Sequence, residues 1–312
     1  MDQTNKADHA EPSARARELV RGAYDLHVHT GPDLLPRSAS DLELAYRCRE
    51  LGLSGFVIKS HYIPSAPRAA VVRSLVPEIT ALGSVTLNAA IGGVNPVAVE
   101  IAARAGARIV WMPTFDGVNE MSGHASLPHG VEPPQWARLQ QEMREQGVRN
   151  EPVRVVDENR AILPEVRTVL RLIARHRLVL ATGHLSRDEI FAVVAAARTE
   201  GVQDIIITHP DYPTQNLSAE DQSTLAQQGA FLERCFAPSY SGKVPWEHMF
   251  ARIRATGAEH SFLSTDLGQP QNPPIADGLA LLVDQFLAGG FTENEIHQMA
   301  VVNTGRLATG EA

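Results

Sequence analysis

The chain alternates short apolar segments with segments of helical periodicity eight times, and this alternation restricts its fold more than any other feature. Segments that are apolar throughout are typical of strands in a parallel sheet whose outer face is covered by helices. Eight strand-plus-helix units in 312 residues predict an α/β protein with a (β/α)8, TIM-like barrel. An open, doubly wound sheet is the alternative that the pattern leaves open. The strand-like segments are YDLHVHT, SGFVIKSHY, SVTLNAAIGG, ARIVWMPTFD, RLVLATGHLS, DIIITHPD, AFLERCF and SFLSTDLGQ.

Helix start and stop signals separate these strands. SASDLELAYRCRELG has apolar residues at helical spacing and ends at Gly52, a usual residue after a helix. Further helices are predicted from Pro67 to about Ile79 and from Pro96 to Ala105. Ser and Glu three residues apart form a capping-box pattern, which opens two later helices at Ser186–Glu189 and Thr292–Glu295.

One long segment interrupts the alternation after the fourth strand. Residues 117–159 contain GHASLPHGVEPPQW, a short helical stretch and a hairpin-like VRVVDENRAI. A connection of this length within a barrel is usually a functional loop or a disordered one, so a lid over the active site is predicted. Residues 1–20 are expected to form a mobile arm, and residues 21–312 a single barrel domain.

Charge and cysteine content narrow the classes of partner. The net charge of −8 argues against nucleic acid or an anionic membrane surface as the main partner. No apolar run reaches membrane-spanning length, and the polar start lacks the apolar core of a secretory signal. The two cysteines, Cys48 and Cys235, cannot form a disulfide framework. We therefore expect a cytoplasmic protein that acts on a small molecule, and association into a homo-oligomer through outer helices.

Ionisable side chains collect at the predicted carboxyl ends of the strands, the edge where barrel active sites are built. His27 and His29 are two residues apart in a strand, so both side chains lie on one face. Lys59 and His61 repeat this spacing on the second strand. The other strand ends contribute Asp116, His184, His209, Asp211, Glu233 and Asp266.

Imidazole nitrogens and carboxylate oxygens together are suited to Zn²⁺, Mn²⁺ or Fe²⁺, whereas Ca²⁺ prefers oxygen ligands alone. The pattern therefore predicts one or two divalent ions, with zinc favoured and manganese or iron as alternatives. A metal with an open position lowers the pKa of its bound water to about 7. Asp266 would then act as the general base that accepts the water's proton and passes it to the leaving group.

These motifs resemble the amidohydrolase superfamily of metal-dependent hydrolases. The resemblance rests on DLHVHTGPD, TGHLS, THPD and STDLGQ on strands one, five, six and eight, and on a closing segment with a Met and an Asn-x-x-Arg-Leu sequence. It implies a distorted (β/α)8 barrel with a mono- or binuclear centre. By the same resemblance, His27, His29 and Asp266 would bind one metal. His184 and His209 would bind a second, or one of them would contact substrate.

The fourth strand departs from that family pattern. Binuclear members carry a bridging carboxylated Lys or a Glu there, whereas this chain has Trp111 and Met112. Either the site holds one metal or another strand supplies the bridge, and Lys59, His61 and Glu233 are the candidates. Lys59 is also a candidate catalytic residue, alongside Asp266 and His209. An ordinary ion pair of Lys59 with a neighbouring carboxylate is the competing interpretation.

The predicted function is hydrolysis of a cyclic amide or lactone by metal-activated water. His61, His124 and Arg234 are predicted substrate contacts. The alternatives are a phosphoesterase of the polymerase and histidinol phosphatase type, a metal-dependent decarboxylase, and a non-catalytic barrel. The phosphoesterase is disfavoured because STDLGQ lacks the neighbouring histidine that such sites carry. A non-catalytic barrel would need neither a base at Asp266 nor a lid-sized insertion.

Overall fold

Eight parallel strands in chain order form the framework of the protein, as seen in a computed structural model that describes residues 10–124, 135–148 and 151–311. Each strand pairs with the next one along the chain, with helices between them. This arrangement confirms the predicted (β/α)8, TIM-like barrel. The strands are β1 (Tyr24–Val28), β2 (Gly55–Ile58), β3 (Thr80–Thr86), β4 (Ala107–Trp111), β5 (Val179–Ala181), β6 (Ile205–Ile207), β7 (Phe231–Cys235) and β8 (Ser261–Ser264).

Hydrogen bonds between the first and last strands nearly close the barrel. The Asp266 N–H donates to the His27 carbonyl at 2.8 Å, and the His29 N–H donates to the Leu267 carbonyl at 2.8 Å. A parallel bridge also joins Val28 and Leu267. Because these bonds hold the segment after β8 against the end of β1, they also bring together the side chains of both segments.

Fourteen α-helices accompany the strands in the described residues. They are α1 (Ala14–Leu19), α2 (Asp41–Leu51), α3 (Ala66–Leu75), α4 (Pro96–Arg104), α5 (Val118–His124), α6 (Gln135–Glu145), α7 (Pro164–Arg175), α8 (Arg187–Thr199), α9 (Ala219–Gln227), α10 (Phe236–Tyr240), α11 (Trp246–Thr256), α12 (Ile275–Ala288), α13 (Glu293–His297) and α14 (Asn303–Thr309). Both predicted capping boxes are present, at Ser186–Glu189 and Thr292–Glu295.

Two boundaries differ from the sequence expectation. Helix α3 ends at Leu75 and not near Ile79, because Pro77 disfavours helical geometry in the residue before it. Strand β3 consequently begins at Thr80, earlier than the predicted SVTLNAAIGG segment. The hairpin-like segment of the insertion contains one antiparallel bridge, between Val156 and Ile162.

Contacts along the chain define two compact units. The first unit comprises Met1–Ile58, Val71–Ala81 and Arg234–Ala312, as far as these residues are described, and the second comprises Lys59–Ala70 and Leu82–Glu233. An extended apolar core lies within the second unit. On α7 it includes Val166, Val169, Leu170 and Ile173, at the spacing of one helical face.

In the first unit, part of the segment expected to be a mobile arm forms a docked helix. Helix α1 buries Ala16 completely, and the hydroxyl of its N-cap residue Ser13 donates to Asp284 at 2.6 Å. Arg17 forms an ion pair with Asp277 at 2.8 Å. Ala16 is the one residue of α1 that is buried, so the helix has no apolar periodicity that the sequence could reveal. The bonds of Ser13 and Arg17 to Asp284 and Asp277 hold it in place as well.

Asn303 fixes the start of β8 within the first unit. Its side-chain Nδ2 donates to the carbonyls of Ser261 at 2.6 Å and Ala258 at 3.0 Å, while Gln298 Nε2 donates to its Oδ1 at 2.8 Å. Asn303 is almost completely buried, so these carbonyls have few alternatives to its amide. The Asn of the predicted closing motif therefore has a structural role.

We expect Asn303→Leu to lower the free energy of unfolding by about 2 kcal/mol, because it leaves buried carbonyls without a donor. Chemical denaturation measures this change. Asn294→Leu is a matched control, since Asn294 lies exposed on α13 and its replacement should change stability little. Equal effects of the two substitutions would contradict the structural role of Asn303.

Candidate metal centre

Two histidines, one in the first strand and one directly after it, converge on one carboxylate in the first unit. Nε2 of His27 lies 3.0 Å from Oδ1 of Asp266, and Nε2 of His29 lies 3.1 Å from the same oxygen. The side chains of His27 and His29 are 0% and 2% exposed, while that of Asp266 is 21% exposed. The structure thus brings together the three residues predicted to bind the more buried metal, with solvent access at the carboxylate.

Backbone geometry places this carboxylate. Asp266 has a φ of +54°, a left-handed conformation that a non-glycine residue adopts at a cost of about 1 kcal/mol or more. Gly268, two residues later, has a φ of +141° and lies against the backbone of His29. Strained backbone of this kind is concentrated at functional sites, where surrounding contacts maintain it.

Two buried residues support the first histidine. Asp25 accepts the Thr265 hydroxyl at 2.6 Å and the backbone N–H of His27 at 3.3 Å. Burial raises the pKa of Asp25 to about 7, against the opposing effect of its hydrogen bonds from Thr265. Cys235 Sγ lies 3.9 Å from Nδ1 of His27 and 3.2 Å from the Ser264 hydroxyl. The thiol therefore lies behind His27, beside the ring nitrogen that faces away from Asp266.

The charge of the carboxylate is maintained by the same histidines. Burial alone would raise the pKa of Asp266, but the charge of His27 and the hydrogen bonds from His27 and His29 lower it well below its ordinary value. Asp266 is consequently ionised at neutral pH, as a metal ligand must be.

The donor set fits a divalent cation. The ligand atoms of His27, His29 and Asp266 all lie within 4.8 Å of one another, and two nitrogens with one carboxylate oxygen suit Zn²⁺, Mn²⁺ or Fe²⁺. Three protein ligands leave a coordination position open, which is typical of catalytic and not of structural zinc sites. Partial exposure at Asp266 is consistent with that open position.

Three further histidines gather in the second unit. The ring centroids of His184 and His209 are 5.0 Å apart, and those of His61 and His184 are 6.4 Å apart. His209 has a φ of +25°, and its backbone N–H donates to Glu233 Oε2 at 3.0 Å. Like Asp266, His209 is therefore held in an uncommon backbone conformation.

These residues do not form a second three-ligand group. The ligand atoms of His184, His209 and Glu233 are not gathered as those of the first group are, among the residues that the structure describes. The Glu233 carboxylate accepts the backbone N–H of His209. Their predicted roles as ligands of a second metal, and the catalytic role of His209, therefore stay predictions.

Sequence reasoning missed a carboxylate on the insertion. Glu120 on α5 is 3% exposed, and its Oε2 lies 3.4 Å from Nδ1 of His184 and accepts the Thr214 hydroxyl at 2.9 Å. On the same helix, Asn119 donates to the carbonyls of His184 and Thr214 at 3.1 and 2.9 Å. The insertion thus contributes residues that orient His184. Its predicted action as a lid stays a prediction.

Lys59 lies beside the residue that departs from the family pattern. Its Nζ is 4.3 Å from the centre of the Trp111 ring, and both side chains are essentially buried. A cation over an indole ring is stabilised by the ring's electron-rich face. A carboxylated lysine would present a negative charge to that face, so this contact is more favourable for a cationic Lys59.

Arg234 and His124 are the two other predicted substrate contacts. Arg234 is 0% exposed, and its guanidinium donates to the hydroxyls of Ser261 at 3.2 Å and Thr256 at 3.3 Å. These bonds give Arg234 a structural role within the first unit, and its predicted contact with substrate stays a prediction. His124 ends α5, and its side chain lies outside the described residues.

Comparison with known sequences identifies a family whose biochemical role is open. The family described as "Family of unknown function (DUF6282)" matches residues 22–233, more than half of the chain. A comparison with curated proteins gave no match.

Solved structures with the same fold cover nearly the whole chain. An amidohydrolase from Pseudomonas aeruginosa has a TM-score of 0.60 at 14% identity, covering 95% of this chain and 99% of its own. A candidate 2-pyrone-4,6-dicarboxylic acid hydrolase from Pseudomonas putida has a TM-score of 0.55 at 14% identity, with 93% and 97% covered. A 2,6-dihydroxybenzoate decarboxylase has a TM-score of 0.52 at 13% identity, with 92% and 99% covered. The expected resemblance to the amidohydrolase superfamily is confirmed at the level of the fold.

Within the described ranges, no helix combines the length and the hydropathy needed to cross a bilayer.

Proposed function

The chain belongs to the family of unknown function DUF6282, and we propose that it is a metal-dependent hydrolase. The family match covers residues 22–233, which include His27 and His29 but not Asp266. The substrate would be a cyclic amide or a lactone. The likeness to hydrolases and to a decarboxylase in fold supports an enzyme of this class, and the residues of the first unit supply the chemistry.

One observation carries the proposal. Nε2 of His27 lies 3.0 Å from Oδ1 of Asp266, and Nε2 of His29 lies 3.1 Å from the same oxygen, so both are at hydrogen-bond distance. Two imidazoles, which are deprotonated when a metal binds, and an ionised carboxylate that converge in this way would hold one divalent ion, with zinc favoured. Because only Asp266 of the three is appreciably exposed, substrate would approach from its side.

The protein's own groups then have distinct tasks. A bound divalent ion would supply a Lewis acid that activates water for attack on the substrate carbonyl. Asp266 remains ionised at neutral pH, so its carboxylate would accept the proton of the attacking water and return it to the leaving nitrogen or oxygen. The bonds from Asp266 N–H to the His27 carbonyl and from His29 N–H to the Leu267 carbonyl would hold base and ligands in register.

A metal-dependent decarboxylase is the second candidate, and the fourth strand is the observation that favours it. Trp111 and Met112 take the place of a bridging Lys or Glu there, which is consistent with a single metal. Some relatives of the amidohydrolase type would carry out a non-oxidative decarboxylation with one metal, as the resemblance implies. The decarboxylase that shares the fold supports including this chemistry in the test.

Metal content and a small substrate panel test the proposal. We expect about one equivalent of Zn, Mn or Fe in the wild-type protein after reconstitution, and its loss in His27→Ala. The panel would contain a six-membered lactone, a cyclic imide, an aromatic ortho-hydroxy carboxylate and a phosphomonoester, with ring opening, CO2 or phosphate as the readout.

His248→Ala is the matched control, since His248 is exposed on α11 and its loss should leave metal content unchanged. Ring opening of a lactone or cyclic amide that disappears in His27→Ala would support the hydrolase. Release of CO2 or phosphate in its place would transfer the function to the decarboxylase or the phosphoesterase. A wild-type protein that takes up no metal would refute all three.

A further inference from the structure

A buried chain of hydrogen bonds in the second unit ends at the ring of His61. The Thr114 backbone N–H donates to Asn88 Oδ1 at 2.8 Å, and Asn88 Nδ2 donates to the Thr114 hydroxyl at 2.7 Å and to the His61 carbonyl at 3.1 Å. The Thr114 hydroxyl lies 2.9 Å from Nδ1 of His61. Asn88 and Thr114 are both 0% exposed, so solvent does not complete this network.

The direction of the first bonds is fixed by chemistry. A backbone N–H can only donate, so the Asn88 atom that faces it must be the oxygen. The other amide atom of Asn88 is therefore the NH₂ group, which can only donate, and the Thr114 hydroxyl accepts from it. One lone pair of that hydroxyl is thus used, and its single proton is still to be placed.

The proton of Thr114 determines the state of His61. Among the described residues, Nδ1 of His61 is the other partner that the structure gives the Thr114 hydroxyl. If Nδ1 carried a proton, the hydroxyl would face two donors, and its own buried proton would have no acceptor. Since an unsatisfied buried donor is costly, Thr114 donates and Nδ1 accepts. A neutral His61 then carries its proton on Nε2.

The ring itself is held in place by aromatic packing. Phe115 packs against His61 with ring centroids 4.7 Å apart, and Trp136 of α6 stacks on Phe115 at 5.2 Å with the planes 13° apart. Phe115 is 3% exposed. The orientation of the His61 ring is therefore set from one side by the hydroxyl of Thr114 and from another by this stack.

We propose that Asn88 and Thr114 are positioning residues that hold His61 as the neutral tautomer protonated on Nε2. In this form His61 is a hydrogen-bond donor and not a metal ligand, because a ligand nitrogen must offer a lone pair. This assignment rests on the hydrogen bonds of the second unit and holds whether or not the proposed function is right.

Nitrogen NMR of zinc-loaded protein labelled with ¹⁵N-histidine tests the tautomer directly. His61→Asn identifies the His61 signals by their absence. We expect wild-type Nδ1 to show the shift of a bare nitrogen and Nε2 that of a protonated one. Thr114→Val, which removes the hydroxyl but keeps the side-chain shape, should shift both signals toward a mixture of tautomers, and Thr114→Ser should restore the wild-type spectrum.

A bare Nε2, or protons on both nitrogens of His61 in the wild type at neutral pH, would overturn the proposal. So would a Thr114→Val spectrum identical to that of the wild type. Metal analysis adds an independent readout, because His61→Asn should retain the zinc that His27→Ala loses. Loss of zinc in His61→Asn would show that His61 is a ligand and contradict the donor role.

Discussion

Replacing Asp266 with Asn is expected to lower the turnover number by at least about 100-fold at saturating metal, the usual effect of losing a general base. The amide keeps an oxygen near the position of Oδ1, 3.0 Å from His27 Nε2, so much of the metal should still bind when it is supplied in excess. The amide cannot accept a proton from water. Turnover and metal content, measured on the same sample, separate the two roles of Asp266.

Asp266→Ala provides the contrast, because it removes the ligand oxygen together with the base and should lose both metal and turnover. The exposed Asp188 on α8 gives a matched control, and Asp188→Asn should retain metal and rate. The general-base role would be wrong if Asp266→Asn bound metal fully and turned over at the wild-type rate. Equal metal loss in Asp266→Asn and Asp266→Ala would instead restrict Asp266 to the role of ligand.

The fold and the first ligand group could be predicted from the sequence because both follow from local patterns. Apolar runs and helical periodicity specify strands and helices one segment at a time, and parallel strands place their carboxyl ends at one edge. His27 in β1 and His29, directly after its end, were expected to share a face because they are two residues apart in extended chain. That Asp266 joins them was implied by the resemblance to the amidohydrolase superfamily, because the count of eight units left an open sheet as the alternative to a closed barrel.

The parts of the site that could not be predicted depend on contacts between distant segments. Glu120 lies on an insertion whose path no periodicity determines, and only the folded chain shows that its carboxylate faces His184. Asn88 and Thr114 are 26 positions apart in the sequence, and neither residue type alone signals a link to a histidine. The hydrogen bonds of Arg234 depend on such contacts too, because no local pattern indicated that the Ser261 and Thr256 hydroxyls would accept from its guanidinium.

A second large effect is expected from Gly268→Ala, which should lower the free energy of unfolding by about 3 kcal/mol and weaken metal binding. Gly268 has a φ of +141°, a backbone conformation that residues other than glycine rarely adopt. A Cβ at this position would overlap the carbonyl oxygen of His29. Since that oxygen belongs to the backbone, either the end of β1 or the segment that carries Asp266 must move.

Gly290→Ala separates this overlap from the strain of a left-handed backbone. Gly290 has a φ of +80°, and a Cβ there meets no atom within 4 Å, so we expect a loss of about 1 kcal/mol and normal metal content. Chemical denaturation and elemental analysis of both variants make the comparison. If Gly268→Ala matched Gly290→Ala in stability and in bound metal, the close approach of Gly268 to His29 would not be what holds the ligands together. If it lost metal beyond its loss of stability, the packing of this one glycine would account for the register between the histidines and Asp266.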